Sequence, residues 1–331
     1  VTQMTQILKD CLYYGVSRAG ELPFVQARFA ARAAIILLHE IQRDCQAELM
    51  TGTSVSFLEY ILDWLQREGW SIVSLDECLE RLARNDQSSR YAVLTFDDGY
   101  RDNVSVALPI LERHNAPFMM YVPTGAPTRS MQSWWLGLRK LFLSKDTVAI
   151  DALGRQFHCP DTRSKTSALA EVTRWVHQDY RRSAMLAPTF KQNGISLVAL
   201  NDAYFLDERE LGLLARHPLA SFGGHTTSHA ALATLDEPSA RAELANNRAY
   251  LENLLQRSVR HVAYPYGGPR ACDVREEHLA CEVGFQTAVT TRQGQLREHK
   301  MNHFALPRIG FSSRSGFTAR MSGIMEAVQA L

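Results

Sequence analysis

The sequence predicts an α/β fold built on a parallel sheet. Three observations carry this: short apolar, β-rich runs recur, helical patterns separate them, and the alternation persists over most of the 331 residues. At this length a closed βα barrel is as natural an outcome as an open doubly wound sheet. Ala34-Ile35-Ile36-Leu37-Leu38 is the first candidate strand. Ser54 to Trp70 then sets Phe57, Ile61, Leu62 and Leu65 on one helical face, with Ser54 or Ser56 available as cap. Ser71-Ile72-Val73-Ser74 reads as a second short strand leading into a helix from Leu75 to Arg84. A buried strand over 91–96 precedes a helix from Asn103 to Arg113, and Phe118 to Val122 forms the next strand after Ala116-Pro117. The alternation resumes with Ala220-Ser221-Phe222, the helix Pro238 to Gln256, the strand His261 to Tyr264, the helix Cys272 to Val283 and the strand Gln286 to Thr290.

Between Gly125 and Pro218 the rhythm changes. Trp134-Trp135 and the basic, aromatic stretch Trp175 to Arg182 sit among further helical patterns, so residues 126–218 read as a helix-rich insertion. Such an insertion is expected over the mouth of a barrel, where it shapes access to a site. No repeat, low-complexity tract or linker divides the chain, so 1–331 is taken as a single domain.

Composition narrows the function classes. With 36 Lys and Arg against 35 Asp and Glu, the formal net charge is +1, and no bulk field favours nucleic acid or an anionic membrane. The six cysteines, Cys11, Cys45, Cys78, Cys159, Cys272 and Cys281, form no Cys-x-x-Cys pair, which argues against a thiolate zinc site or a thioredoxin-like redox site. They are expected to be buried thiols or bystanders. No apolar stretch reaches the ~18 residues of a membrane span, and a cytoplasmic setting is the first expectation. The chain begins at Val1 rather than Met, so an exported precursor stays open.

Chemistry enters with Thr95-Phe96-Asp97-Asp98-Gly99-Tyr100, which directly follows the apolar run Tyr91-Ala92-Val93-Leu94. Two adjacent carboxylates at the end of a buried strand need a counter-charge, and a divalent metal is a strong one. Asp-Asp-Gly alone is ordinary turn chemistry. A second segment, His225-Thr226-Thr227-Ser228-His229, follows another apolar run, Leu219 to Phe222. If that segment is helical, its histidines at i and i+4 share a face, the spacing a metal site needs; alone, such a pair is as often surface or core. Together, each at the C-terminal end of a predicted strand, the two motifs lie where βα folds carry their active sites.

TFDDGY, then HTTSH, then Tyr264-Pro265-Tyr266-Gly267-Gly268 resemble the motifs of the polysaccharide deacetylases of the NodB-homology type, carbohydrate esterase family 4. The similarity runs from about Ile35 to Phe311. It implies a distorted, seven-stranded parallel βα barrel, one divalent metal, and hydrolysis of an N-acetyl group on a sugar. Carried over position by position, Asp98, His225 and His229 match the metal ligands and Asp97 the general base. Two histidines and one carboxylate leave coordination positions open for water and a carbonyl, and a second carboxylate off the metal can take a proton. Zinc is first in line, with cobalt, nickel, iron or manganese as alternatives. The oxyanion donor of the third motif falls at the Tyr266 backbone, beside Pro265, and Tyr100, Trp134 and Trp135 are candidates for contact with a sugar, although one tryptophan at least is expected to pack inside the insertion.

The chain also departs from the family. Its third motif, His261-Val262-Ala263-Tyr264, lacks the usual Arg, and either Arg308 in Leu306-Pro307-Arg308-Ile309 supplies that charge or the base is tuned differently. An Asp-x-x-Asp-Trp motif is not found, nor is a C-terminal Leu-x-His. His39 instead ends the apolar run Ile36-Leu37-Leu38, similar to the permuted order of relatives acting on β-1,6-linked poly-N-acetylglucosamine, where the acid histidine precedes the Asp-Asp pair. His39 is therefore the candidate acid and His303 its rival. The expected function is de-N-acetylation of an N-acetylglucosamine-containing polysaccharide or oligosaccharide. O-acetyl xylan, a small C–N substrate, and a catalytically silent glycan-binding protein are the alternatives.

Overall fold

The structure, a computed structural model, describes residues 29–43, 52–297 and 301–324, together with positions 15 and 49. Cys11 and Cys45 lie outside the described residues; Cys78, Cys159 and Cys272 are buried free thiols and Cys281 is exposed.

The chain opens with β1 (Ala33–Leu38), then the short parallel pair β2 (Ile41–Gln42) and β3 (Thr53–Ser54), then α1 (Val55–Arg67). Ser54 caps α1 by accepting from the Phe57 N–H at 3.2 Å. The helix stops earlier than its apolar pattern predicts because Gly69 takes φ +70°, so Trp70 opens β4 (Trp70–Ile72) instead of closing the helix. Ser74 is then the cap of α2 (Leu75–Ala83) and not a strand residue. After β5 (Arg90–Asp97), the predicted helix from Asn103 begins as a π-helical turn, Asn103–Ala107, before α3 (Leu108–Arg113) and β6 (Phe118–Val122).

From β6 the chain leaves the sheet. It forms α4 (Trp134–Ser144), a hairpin of β7 (Thr147–Ile150) and β8 (Arg155–His158) that periodicity did not anticipate, α5 (Thr162–Gln178), α6 (Ala187–Gln192), α7 (Leu197–Tyr204) and α8 (Glu208–Leu214). This segment has a core of its own, in which Trp134, Leu138, Phe142, Phe157, Val172, Val176 and Phe190 pack together. Its last helix, α8, returns to the barrel layer through Leu211 and Leu214. The chain re-enters the sheet as β9 (Ala220–Gly224), followed by α9 (Glu237–Leu255), β10 (His261–Ala263), α10 (Val274–Val283), β11 (Thr287–Gln293), β12 (Leu306–Arg308) and α11 (Arg314–Met321).

The main sheet runs β1-β5-β6-β9-β10-β11-β12, all parallel, with β4 added on β5. Ile309 donates to the Ile35 carbonyl at 2.7 Å and accepts from the Leu37 N–H at 3.1 Å, which brings the last strand round to the first. The fold is thus a distorted, nearly closed parallel βα barrel with seven strands in its ring.

Strand parity divides the core. Ala33, Ile35, Tyr91, Val93, Met119, Tyr121, Ala263, Val289 and Leu306 pack inside the barrel. Their neighbours Ala34, Ile36, Ala92, Leu94, Phe118, Met120, Val262 and Ala288 pack outward against the helices. Extending the inward parity to the strand ends brings Asp97, His225 and Arg308 to the C-terminal mouth. Gly223 holds the same parity, and a Cβ there would lie 2.4 Å from the Tyr121 ring.

Candidate active site

Asp98, His225 and His229 converge at the barrel mouth, with one potential ligand atom from each within 4.8 Å of the others. The convergence is not helical: residues 225–229 form a loop after β9, with Thr226 at φ +63° and His229 at φ +60°. Local strain replaces the helical spacing, since a β-branched residue in the left-handed region is costly and persists only where its surroundings enforce it. Asp98 at φ +74° and Tyr266 at φ +62° add to the same cluster.

Two residues that the motif reading passed over enforce that loop. Asn247, fully buried on α9, accepts from the His225 N–H at 3.0 Å and donates to the carbonyls of Val122 at 3.0 Å and Thr226 at 2.5 Å. Glu243, one turn earlier, accepts from the N–H groups of Thr227 and Ser228, both at 2.8 Å. A signal was present, because Asn247 lies in the apolar stripe Ala240, Leu244, Leu251, Leu255, where a polar residue needs partners.

The donor set fits a cation. His225 Nδ1 lies 2.7 Å from the Ala263 carbonyl, so this nitrogen carries the proton and Nε2 presents a lone pair. That Nε2 is 3.4 Å from Asp98 Oδ1, and His229 Nε2 is 3.2 Å from the same oxygen. Asp98 Oδ1 is nonetheless buried without a hydrogen bond among the described residues. The His225 Nε2 lone pair facing a carboxylate oxygen at this distance repels it unless a positive charge lies between them. Burial would raise the Asp98 carboxyl, but protonated His229 and His225 rings, standing in for a cation, would hold it well below the usual carboxylate range. Burial lowers His229, whereas at His225 the Asp98 and Asp97 carboxylates outweigh burial and raise the ring.

Asp97 stays off this cluster. Arg308 of β12 grips it with two bonds of 2.7 Å, Nη1 to Oδ1 and Nη2 to Oδ2. The guanidinium is completed by Nε to the Thr290 carbonyl at 2.8 Å and Nη1 to Thr95 Oγ1 at 3.2 Å. Burial alone would raise the Asp97 carboxyl, but Arg308 outweighs it and the group is lowered. A charge absent from the third motif is therefore present from a strand 211 positions away in sequence.

His39 Nε2 lies 3.9 Å from Asp97 Oδ2, on a ring that is 44% exposed. His303 precedes β12 and binds the start of β11 through Ala288, so in an all-parallel barrel it belongs to the opposite end. A pocket of about 490 Å³ covers the cluster, lined among others by His39, Glu40, Asp97, Asp98, Tyr100, His225, His229, Tyr266 and Thr291. Trp134 and Trp135 line it as well. Trp134 is buried and its Nε1 donates to Tyr266 Oη at 2.9 Å, while Trp135 Nε1 donates to Tyr100 Oη at 2.8 Å. The Trp135 and Tyr266 rings each lie 4.9 Å from the His229 ring.

Arg308 supplies the charge that the third motif lacks and, fully buried behind Asp97, is not itself a substrate contact; Pro265 beside Tyr266 is buried outside the pocket lining, so its side chain is not one either. The opposite wall went unread: Thr166, Ala170, Thr173 and His177 form one stripe of α5 that faces the pocket. It adjoins the core stripe Ala168, Leu169, Val172, Val176, so the helix serves two surfaces and shows no single apolar face.

The sequence profile of a family described as polysaccharide deacetylase matches residues 84–153 and 182–286. No curated protein matches the chain. Solved structures share the fold: the Streptococcus pyogenes deacetylase PplD in complex with acetate is 17% identical with a TM-score of 0.56, the match covering 84% of this chain and 92% of that one. IcaB from Ammonifex degensii is 16% identical with a TM-score of 0.57, covering 89% and 97%. A de-N-acetylase from Aggregatibacter actinomycetemcomitans is 13% identical with a TM-score of 0.52, covering 84% and 94%.

Proposed function

The chain belongs to the polysaccharide deacetylase family, and from that premise we propose that it hydrolyses N-acetyl groups on N-acetylglucosamine-containing polysaccharide or oligosaccharide. The observation that carries the reading is the division of labour between adjacent aspartates. Asp98 Oδ1 faces two imidazoles with no hydrogen bond among the described residues, and Asp97 is turned away into the Arg308 fork.

Asp98, His225 and His229 would hold one divalent cation, zinc before its first-row neighbours given two imidazoles and a carboxylate. Such a cation supplies Lewis acidity at the acetyl carbonyl and eases deprotonation of the attacking water. Asp97, kept ionised by Arg308, takes the water's proton on the lone pairs that the fork leaves free. His39, on the open side of Asp97, delivers a proton to the departing nitrogen as the C–N bond breaks. The Tyr266 backbone N–H, at a residue of left-handed φ and with no hydrogen-bond acceptor among the described residues, is the candidate oxyanion donor. Tyr100 and Trp135 form one bonded wall of the pocket and Tyr266 and Trp134 another, which holds the aromatic faces rigid toward a sugar.

His39 at the exit of β1 supports the permuted order, and with it β-1,6-linked poly-N-acetylglucosamine as the first substrate to test. Acetate release should be measured on that polymer, on chitin oligomers, on peptidoglycan fragments and on acetylated xylan, with zinc added. Release from an N-acetylated glycan is expected; release from xylan alone would reject the amide specificity, and release from none would reject the substrate class.

A further inference from the structure

We infer that Asn103, seconded by Arg139, is a positioning residue that holds His39 in register with Asp97; this rests on the reading of His39 as the acid. β1 ends at Leu38, so no sheet ladder fixes His39. What fixes it is a side chain: Asn103 Nδ2 donates to the His39 carbonyl at 2.8 Å. The same amide donates to Asp102 Oδ1 at 3.0 Å, and that oxygen accepts from the Ile41 N–H at 3.0 Å. Two successive side chains thus hold the backbone on both sides of Glu40.

Glu40 is gripped in turn by Arg139 of α4. Nη1 lies 2.5 Å from Oε2 and Nη2 lies 3.0 Å from Oε1, with both residues 5% exposed. The Arg139 guanidinium also lies over the Tyr204 ring at 4.9 Å. A buried fork of this kind is strongly directional and tolerates little displacement of the strand exit it holds.

The placement of Asn103 makes this more than general bracing. It opens the π-helical turn that starts three residues after Tyr100, the last of TFDDGY, and is 1% exposed. Residues 97 to 103 therefore carry Asp97 at the end of β5, carry Asp98, and end in the amide that bonds the His39 backbone. The β1–β5 ladder ends at Leu38 and Phe96, and beyond it this short segment sets the separation between base and acid. Proton transfer demands such control, since a displacement of about 1 Å can cost up to about 10²-fold in rate.

The test separates positioning from bracing by the leaving group. An amine must be protonated as it departs, whereas the phenolate of an activated aryl acetate departs without a proton. In zinc-loaded Asn103→Ala, kcat on an N-acetylated oligosaccharide should fall by up to about 10²-fold, with KM and metal content unchanged and 4-nitrophenyl acetate turnover within about 2-fold of the parent. His39→Ala should show the same selectivity. Equal loss on both substrates, or no loss on the amide, overturns the positioning role. If His39→Ala lacks the selectivity, the acid assignment falls and takes the inference with it; if only Asn103→Ala lacks it, the inference falls alone. Should Asn103→Ala fail to fold, Arg139→Lys keeps the charge but loses the fork, and the same split between amide and aryl ester is expected.

Discussion

Two histidine–aspartate clusters, each built on a buried histidine, sit at opposite ends of this barrel, and they differ in what is left over. At the N-terminal end His261 spends both ring nitrogens: Nδ1 lies 2.8 Å from Thr287 Oγ1 and Nε2 lies 3.0 Å from Asp76 Oδ1, with Arg260 on the other Asp76 oxygen at 2.6 Å. At the mouth His225 spends only Nδ1, on the carbonyl of Ala263 two residues further along the same strand as His261. Its Nε2, the His229 ring and Asp98 Oδ1 face one another with no bond completed among the described residues. A buried histidine facing an aspartate is common to both clusters. Unspent donor and acceptor capacity is what distinguishes a site from a brace, because a buried polar group without a partner costs about 1–3 kcal/mol unless something else satisfies it.

The sharpest way to break this comparison is at His229. In His229→Ala the bound divalent cation should be lost, measured by elemental analysis after dialysis, and acetate release should vanish with it; full metal content would show that the mouth is not a cation site. Next comes Asp97→Asn, for which metal should stay bound while kcat falls about 10²- to 10⁴-fold, the range for a general base. Unimpaired turnover would remove Asp97 from that role.

The N-terminal cluster should respond in the opposite sense. His261→Ala is expected to leave kcat unchanged and to lower unfolding stability by about 1–3 kcal/mol in urea titrations, since Thr287 and Asp76 lose a buried partner. A selective fall in kcat would abolish the distinction. The smallest effect is in pH. Asp76 is lowered, first by its hydrogen bond to His261 and against the effect of burial. A carboxyl with a depressed folded value contributes stability above its unfolded pKa, about 3.9, and loses that contribution as pH falls through the folded value. The melting temperature of the parent should therefore drop more steeply below about pH 4 than that of His261→Ala. Equal slopes would place the acid sensitivity elsewhere.

Legibility followed the range of the forces involved. Ile35, Val93 and Met119 could be assigned to strands from local runs alone, because β parity and steric preference act over a few residues. The hairpin of β7 and β8 could not, since its strands are short, part-polar and supported by the separate core of their segment. His225 and His229 share a face by spacing only if their segment is helical; the structure brings them together instead on a loop strained at Thr226, held from outside by Asn247 and Glu243. His39 and His303 looked alike in sequence. Strand direction separated them, because residues that follow a parallel strand and residues that precede one lie at opposite ends of a barrel.

By itself the sequence determined the βα rhythm, the paired aspartates at a strand end and the histidines that could join Asp98, for these depend on residue type and short spacing. The tertiary structure decided which arginine serves Asp97 and which side chain holds His39. Arg308 meets Asp97 only because closure of the ring brings β12 beside β1 and strand parity turns both side chains inward, a pairing that no local spacing encodes.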